Sequence, residues 1–144
     1  MHSSDDHLDC LPSFIDVPIF SDSRGDLMVT EFEVLPFFPR RLFIQSVNRR
    51  KTVRGQHAHR ACSQLLIVIK GSVKVSLESC AGIQTEVLQD SSVGLLIPPM
   101  VWSSQTFQNR SGKVLVLASE PYSEVDYIRN KNEFDNLLSV HLAK

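Results

Sequence analysis

The sequence has little of what marks several common protein classes. Cysteine is scarce: Cys10, Cys62 and Cys80 are the three among 144 residues. Their odd number and irregular spacing point to neither a disulfide framework nor a zinc finger, and a reducing compartment is expected. No charge of one sign dominates, with 15 basic against 16 acidic residues. The one basic run, Arg49-Arg50-Lys51, reads as an exposed loop, too short for a nucleic-acid footprint. No apolar run approaches transmembrane length; the longest, around Leu65–Ile69, is strand-sized. The first ten residues, MHSSDDHLDC, are polar and acidic, unlike a secretory signal. These absences predict a soluble cytoplasmic protein with no nucleic-acid or membrane partner.

Also missing is any long segment of helical period before the end of the chain. Short apolar stretches recur instead. Leu27–Phe32 follows a turn at Ser23-Arg24-Gly25-Asp26, and Arg41–Val47 and Gln64–Ile69 come next. Val73–Leu77 alternates Val73, Val75 and Leu77 against Lys74 and Ser76, the period of a half-buried strand. Thr85–Leu88, Gly94–Ile97 and Lys113–Ala118 continue the series. Strands at such intervals, broken by glycine and proline, predict an all-β sandwich or barrel. Glu133–Leu142 reads as one short helix or an end strand. Length fits one domain: residues 1–13 form a flexible arm and 14–144 the folded unit.

The chemistry-bearing segment is Arg54-Gly55-Gln56-His57-Ala58-His59, followed by Gln64 and Gly71. Residues two apart on a strand share a face, so His57 and His59 point the same way, and Gln64 on the next strand can join them. Histidine titrates near neutrality and both accepts and donates protons. Two on one face disfavour double protonation, because the second charge is repelled by the first. The bland alternative is a pair of structural histidines in a barrel wall. Arg54, Gln64 and the apolar strands around them favour a pocket with convergent polar groups.

The HxH layout resembles the first motif of the cupins, in which HxH, a glutamate and a glycine close one end of a barrel. The glutamate position here is Gln64. The second motif places a histidine after a proline-containing turn; this chain reads Pro98-Pro99-Met100-Val101-Trp102-Ser103, with Ser103 at that position. Amide and hydroxyl are weak ligands for transition metals, and two imidazoles rarely suffice for a catalytic site. The reading is therefore proton transfer with no metal and no other cofactor.

Further stretches extend the resemblance: DSRGDL at Asp22–Leu27, LPFFPRRLF at Leu35–Phe43, VRGQHAHR at Val53–Arg60, QLLIVIKGSVKV at Gln64–Val75, VGLLIPPMVW at Val93–Trp102, and VLVLASEPYSEVDYIR at Val114–Arg129. Together they resemble the sugar 3,4-ketoisomerases of the FdtA/QdtA/WxcM type across about residues 15–137. The resemblance implies a metal-free jelly-roll cupin that works as a homodimer on dTDP-4-keto-6-deoxyglucose. A histidine removes the C3 proton, an enediol or enediolate forms, and a proton returns at C4 to give the 3-keto isomer. By position, His57 and His59 would be base and proton shuttle, in either order. Arg24, Arg41 and Arg54 match family arginines and would hold the diphosphate through bidentate contacts. Gln64, Trp102 and Ser103 complete the expected substrate site, Trp102 by stacking or else by barrel packing.

The sequence departs from the family where a tyrosine is usual on the strand before HxH. That strand reads Arg41-Leu42-Phe43-Ile44-Gln45, which carries no phenol. Two other functions therefore stand beside the isomerase: an epimerase on the same 4-keto sugars, and a non-catalytic nucleotide-sugar-binding cupin. Near the end of the chain, Tyr122 and Tyr127 flank Glu124 and Asp126 and read as a segment that seals the barrel or a dimer. Cys62 reads as a buried bystander thiol and Phe107 as core.

Overall fold

The computed structural model describes residues 10–89 and 91–143. The described chain is an antiparallel β-sandwich of two five-stranded sheets closed by one C-terminal helix. The first sheet runs in the order β1 (Ser13–Asp16), β9 (Val93–Ile97), β6 (Gln64–Lys70), β11 (Lys113–Ala118), β4 (Arg41–Ser46). The second runs β12 (Tyr127–Ile128), β5 (Val53–His59), β10 (Trp102–Phe107), β7 (Val73–Ser79), β8 (Gly82–Leu88). A hairpin of β2 (Ile19–Asp22) and β3 (Gly25–Met28) forms a separate two-stranded sheet. The expected strand over Leu27–Phe32 stops at Met28, and Phe32–Val34 is a 3-10 turn. Two facing sheets with strands that alternate between them make the jelly roll expected from the sequence.

Alternation explains the core. On β7, Val73, Val75 and Leu77 are buried, and on β10, Ser103, Gln105 and Phe107 are. Facing them across the sandwich are Leu66, Val68, Leu95, Val114 and Val116. Strand β6 is buried from Gln64 to Val68 without alternation. Its inner residues join this core, while Leu65 and Ile67 lie under a second layer made by Val17, Leu35 and Leu117. A strand covered on both faces reads as a continuous aliphatic run, which is why Gln64–Ile69 shows no period of two. Fully burying each Leu, Ile or Val contributes about 1.5–3 kcal/mol.

Helix α1 (Lys131–Leu142) settles the choice between helix and end strand. The Asn130 side chain caps it by accepting from the Glu133 N–H at 3.0 Å. Phe134 and Leu138, one turn apart, pack on Ala58, Ile128 and Trp102 on the outer face of the second sheet. No helix among the described residues is long and apolar enough to cross a membrane.

The cysteine reading needs correction. Cys10 and Cys80 form a disulfide across 70 residues, tying the stretch before β1 to the turn between β7 and β8. Sequence spacing could not reveal it, because the two meet only through the sandwich. The cysteine argument for a reducing compartment falls with it. Cys62 is free and buried. Of the expected arm, residues 1–9 lie outside the described residues.

Candidate active site

Strand β5 builds the site through an irregularity. Ser103 pairs with His57 but Ser104 pairs with Gly55, so Gly55 and Gln56 together oppose one residue of β10. Both have left-handed backbone, φ 87° and 61°. A Cβ on Gly55 would lie 3.0 Å from the Ser103 carbonyl oxygen, so the bulge needs glycine there. Its consequence is a change of face. Arg54 pairs with the inward Gln105 and His57 with the inward Ser103, so residues three apart both face the interior. A strict period of two would have sent Arg54 outward.

The result is a cavity of about 340 Å³ between the two sheets. The second sheet contributes Arg54, His57, Gln105 and Tyr127, and the first contributes Arg41, Phe43, Gln45 and Gln64. His57 and His59 stand edge to face with ring centroids 5.0 Å apart. Tyr127 touches both rings, at 5.0 Å from His57 and 4.4 Å from His59. It arrives there because β12 pairs with β5, setting Tyr127 opposite His59. Tyr127 is the residue that sequence reasoning missed. Its segment does seal the edge of the second sheet, but its ring also lines the cavity, so a phenol reaches the histidines from β12 although β4 carries none.

The preceding residue matters as much. His59 Nδ1 lies 2.8 Å from Asp126 Oδ2, and Asp126 Oδ1 accepts the Ala61 N–H at 2.7 Å. A carboxylate accepts only, so Nδ1 carries the proton and donates, leaving the His59 Nε2 lone pair free. Burial pushes His57 down to about 4, and the neighbouring His59 and Arg129 charges push the same way. The Gly55 carbonyl opposes this, but His57 Nδ1 makes no well-formed hydrogen bond. His59 is also lowered, because burial outweighs Asp126. Both imidazoles are thus neutral near pH 7 and able to accept a proton.

Arg41 and Arg54 line the cavity, and Arg129 lies behind Tyr127. The Arg54 guanidinium donates to the Ser46 carbonyl at 3.2 Å. Arg41 lies 4.6 Å from the Phe43 ring centroid and 5.3 Å from that of Tyr122. Arg129 stacks on Tyr127 at 4.2 Å and pairs with Glu124 at 2.7 Å.

The expected site residues separate into two groups. His57, Arg41, Arg54 and Gln64 line the cavity, His59 packs against His57, and Ser103 is buried opposite His57. Trp102 faces outward, 5.6 Å from Phe134 beneath the helix. Arg24 is exposed on the β2–β3 hairpin, paired with Asp22 at 2.5 Å, and lies outside this cavity. Alternation on β10 explains Trp102: it is one residue from the inward Ser103 and so points the other way.

His59, Cys62 and Asp126 bring metal-ligand atoms within 4.8 Å of one another. These groups already have partners: His59 bonds Asp126, and the Cys62 thiol donates to the Ser63 carbonyl. At the cavity itself the donors beside His57 are amides and arginines, which do not make a transition-metal ligand set.

Every buried side-chain atom lacking a partner among the described residues belongs to this site: Gln45 Oε1, Gln105 Oε1, His57 Nδ1 and His59 Nε2. An unsatisfied buried polar atom costs about 1–3 kcal/mol, so this cost is concentrated around the cavity.

The jelly roll and its histidine-lined cavity define a cupin-type protein. The family model described as FdtA, WxcM-like, C-terminal, matches residues 11–139, and the chain belongs to that family. It is 34% identical over 125 residues to the TDP-4-oxo-6-deoxy-alpha-D-glucose-3,4-oxoisomerase of Aneurinibacillus thermoaerophilus, covering 85% of this chain and 90% of that protein. The crystal structure of QdtA, a sugar 3,4-ketoisomerase from Thermoanaerobacterium thermosaccharolyticum in complex with TDP, superposes with a TM-score of 0.86. That match has 33% identity and covers 90% of this chain and 96% of that one. The WlaRB TDP-quinovose 3,4-ketoisomerase from Campylobacter jejuni gives a TM-score of 0.80 at 30% identity, covering 85% and 95%.

Proposed function

We propose that this protein is a 3,4-ketoisomerase of a TDP-linked 4-keto-6-deoxyhexose in deoxysugar biosynthesis. The observation that carries the reading is a pair of neutral histidines beside a phenol in a cavity edged by arginines. Family membership and the activities named for the relatives at 33 and 34% identity support it.

His57 faces the cavity and is the base that takes the C3 proton. The electron pair left behind forms the C3–C4 double bond of an enediolate, with charge on the former C4 carbonyl oxygen. Arg41 and Arg54 supply donors for that oxygen or for the diphosphate. A proton is then delivered to C4, the C3 hydroxyl gives up its proton as its oxygen becomes the carbonyl, and the former C4 carbonyl oxygen takes a proton to become the hydroxyl. His59, held by Asp126, and Tyr127 pass protons between these positions. Atoms and electrons balance without an oxidant or cofactor. A metal-free site follows from amide and hydroxyl groups at the Gln64 and Ser103 positions, and elemental analysis of the purified protein tests this with an expected result below one metal per chain.

A homodimer in the cytoplasm, where nucleoside-diphosphate sugars are made, completes the proposal. Among the described residues the β2–β3 hairpin makes no other sheet pairing, and it exposes Phe20 and Leu27. A lone hairpin is marginal in water, so a second copy covering it fits this surface. Conversion of TDP-4-keto-6-deoxyglucose, followed by NMR, tests the activity. The account requires a 3-keto product, and a C5 epimer as the product would favour the epimerase.

A further inference from the structure

We infer that Arg129 is a positioning residue: braced by Glu124 and Tyr122, its guanidinium holds the Tyr127 ring against His57 and His59. The inference rests on the isomerase reading above, in which Tyr127 passes protons. Strand β12 is two residues long, so its pairing with β5 fixes the Tyr127 backbone but not its ring. Ile128 is buried beneath helix α1, while its two neighbours, Tyr127 and Arg129, stack on each other. The guanidinium carbon lies 4.2 Å from the Tyr127 ring centroid. Glu124 accepts two hydrogen bonds from Arg129, from Nε at 2.7 Å and from a terminal nitrogen at 3.1 Å. The Tyr122 hydroxyl donates to the same carboxylate, and the Tyr122 ring stands 5.6 Å from that of Tyr127. Glu124 is held ionised by these bonds, pushed down to about 2 by Arg129 first and Tyr122 second.

An exposed ion pair by itself contributes little to stability. What sets this one apart is the ring it covers, because Tyr127 stands 5.0 Å from His57 and 4.4 Å from His59. Arginine alone among the cations can bond a carboxylate through a fork and lie flat on an aromatic ring at once. Its charge also reaches both imidazoles and opposes their protonation. The other charged or titratable groups around the pair are Asp126 on His59, Cys62 close to both of these, and Arg41 and Arg54 in the cavity. Asp126 and Arg41 act on His59, whereas Arg129 acts on His57 and His59 together. A proton-passing phenol displaced by an ångström loses much of its rate, so what holds the ring matters to turnover.

The test compares Arg129→Met, which removes fork and charge, with Arg129→Lys, which keeps the charge alone. NMR of the ligand-free full chain reads the imidazole titrations and the NOEs between Tyr127 and the two histidines, with no turnover needed. In Arg129→Met the NOEs should weaken and both imidazole midpoints should rise. In Arg129→Lys the NOEs should weaken while the midpoints stay near those of the wild type. With TDP-4-keto-6-deoxyglucose, kcat should fall on the order of 10- to 100-fold in both variants, with KM and TDP affinity little changed. Glu124→Gln, which loosens the brace and leaves Arg129 in place, should lower kcat less, and it carries the test should Arg129→Met fail to fold. Unchanged NOEs and midpoints in Arg129→Met overturn the inference. So does a loss of TDP affinity with both histidines unmoved, which would make Arg129 a diphosphate ligand. Deuterium exchange at C3 in the wild type keeps the two ideas apart: its absence removes the isomerase, while the ligand-free NMR still decides what Arg129 positions.

Discussion

Asp126 accepts a hydrogen bond from His59 Nδ1 at 2.8 Å while its other oxygen takes the Ala61 N–H, so a single carboxylate fixes both the position and the tautomer of the second histidine. Asp126→Asn turns this arrangement around. The amide oxygen can keep the Ala61 bond, but its NH₂ then faces His59 and forces the proton onto Nε2. The expected loss in kcat is on the order of 100-fold or more, with a smaller change in KM, as for other wrong-tautomer substitutions. Nitrogen NMR of labelled histidine reads the tautomer directly. An unchanged tautomer with unchanged kcat would contradict this role.

The histidine environments also give a pH dependence with a definite sign. His57 falls from 6.5 to about 4, mainly through burial. Burial lowers His59 as well, with Asp126 opposing and the Arg129 and Arg41 charges assisting. As pH drops below 6.5 the unfolded chain takes up protons that the folded protein refuses. Stability is therefore full above that value and is lost progressively down to about 4. Activity should follow the same side: kcat/KM of the free enzyme stays level through neutrality and falls only on the acid side, below the ordinary histidine range. A rate that falls near pH 7 on acidification would show a histidine that is not desolvated.

The bulge on β5 predicts the effect of a single methyl group. Gly55→Ala places a carbon 3.0 Å from the Ser103 carbonyl oxygen at a backbone φ of 87°. The cost is expected at about 1–3 kcal/mol, seen as a lower Tm. Arg54 and His57 lose their common face if the bulge relaxes, so activity should fall even where the protein remains folded. Full activity with an unchanged Tm would mean the bulge is not needed.

The hairpin predicts assembly. Phe20→Asp with Leu27→Asp puts two charges on the exposed apolar face of β2 and β3. Light scattering should give a dimer for the wild type and a shift toward monomer for the double variant. A wild-type monomer would remove the homodimer from the account.

Much of the fold was legible in the sequence because period-two alternation is a local signal. Val73, Val75 and Leu77 announced β7, and the HxH pair fell on one face as read. What was not legible depended on contacts between distant segments. Tyr127 reaches His59 only because β12 adds to the edge of the second sheet, so its ring looked like part of a docking segment. Arg54 faces the cavity only through the Gly55–Gln56 bulge, which breaks the period that sequence reading relies on. The Cys10–Cys80 bridge spans 70 residues, beyond the reach of any spacing rule. Of stacking and packing, Trp102 takes the second, because one step of alternation from Ser103 places it beneath the helix.

The central claim is that His57 removes the C3 proton of a 4-keto sugar, and that a proton that has exchanged with solvent is delivered to C4. Incubating the protein with TDP-4-keto-6-deoxyglucose in D₂O and following the ring protons by NMR tests it most directly. The account predicts loss of the C3 proton signal with deuterium appearing at C4 of a 3-keto product, and no such change with His57→Asn. Exchange at C5, no exchange at all in the wild type, or full-rate exchange in the His57→Asn variant would contradict it.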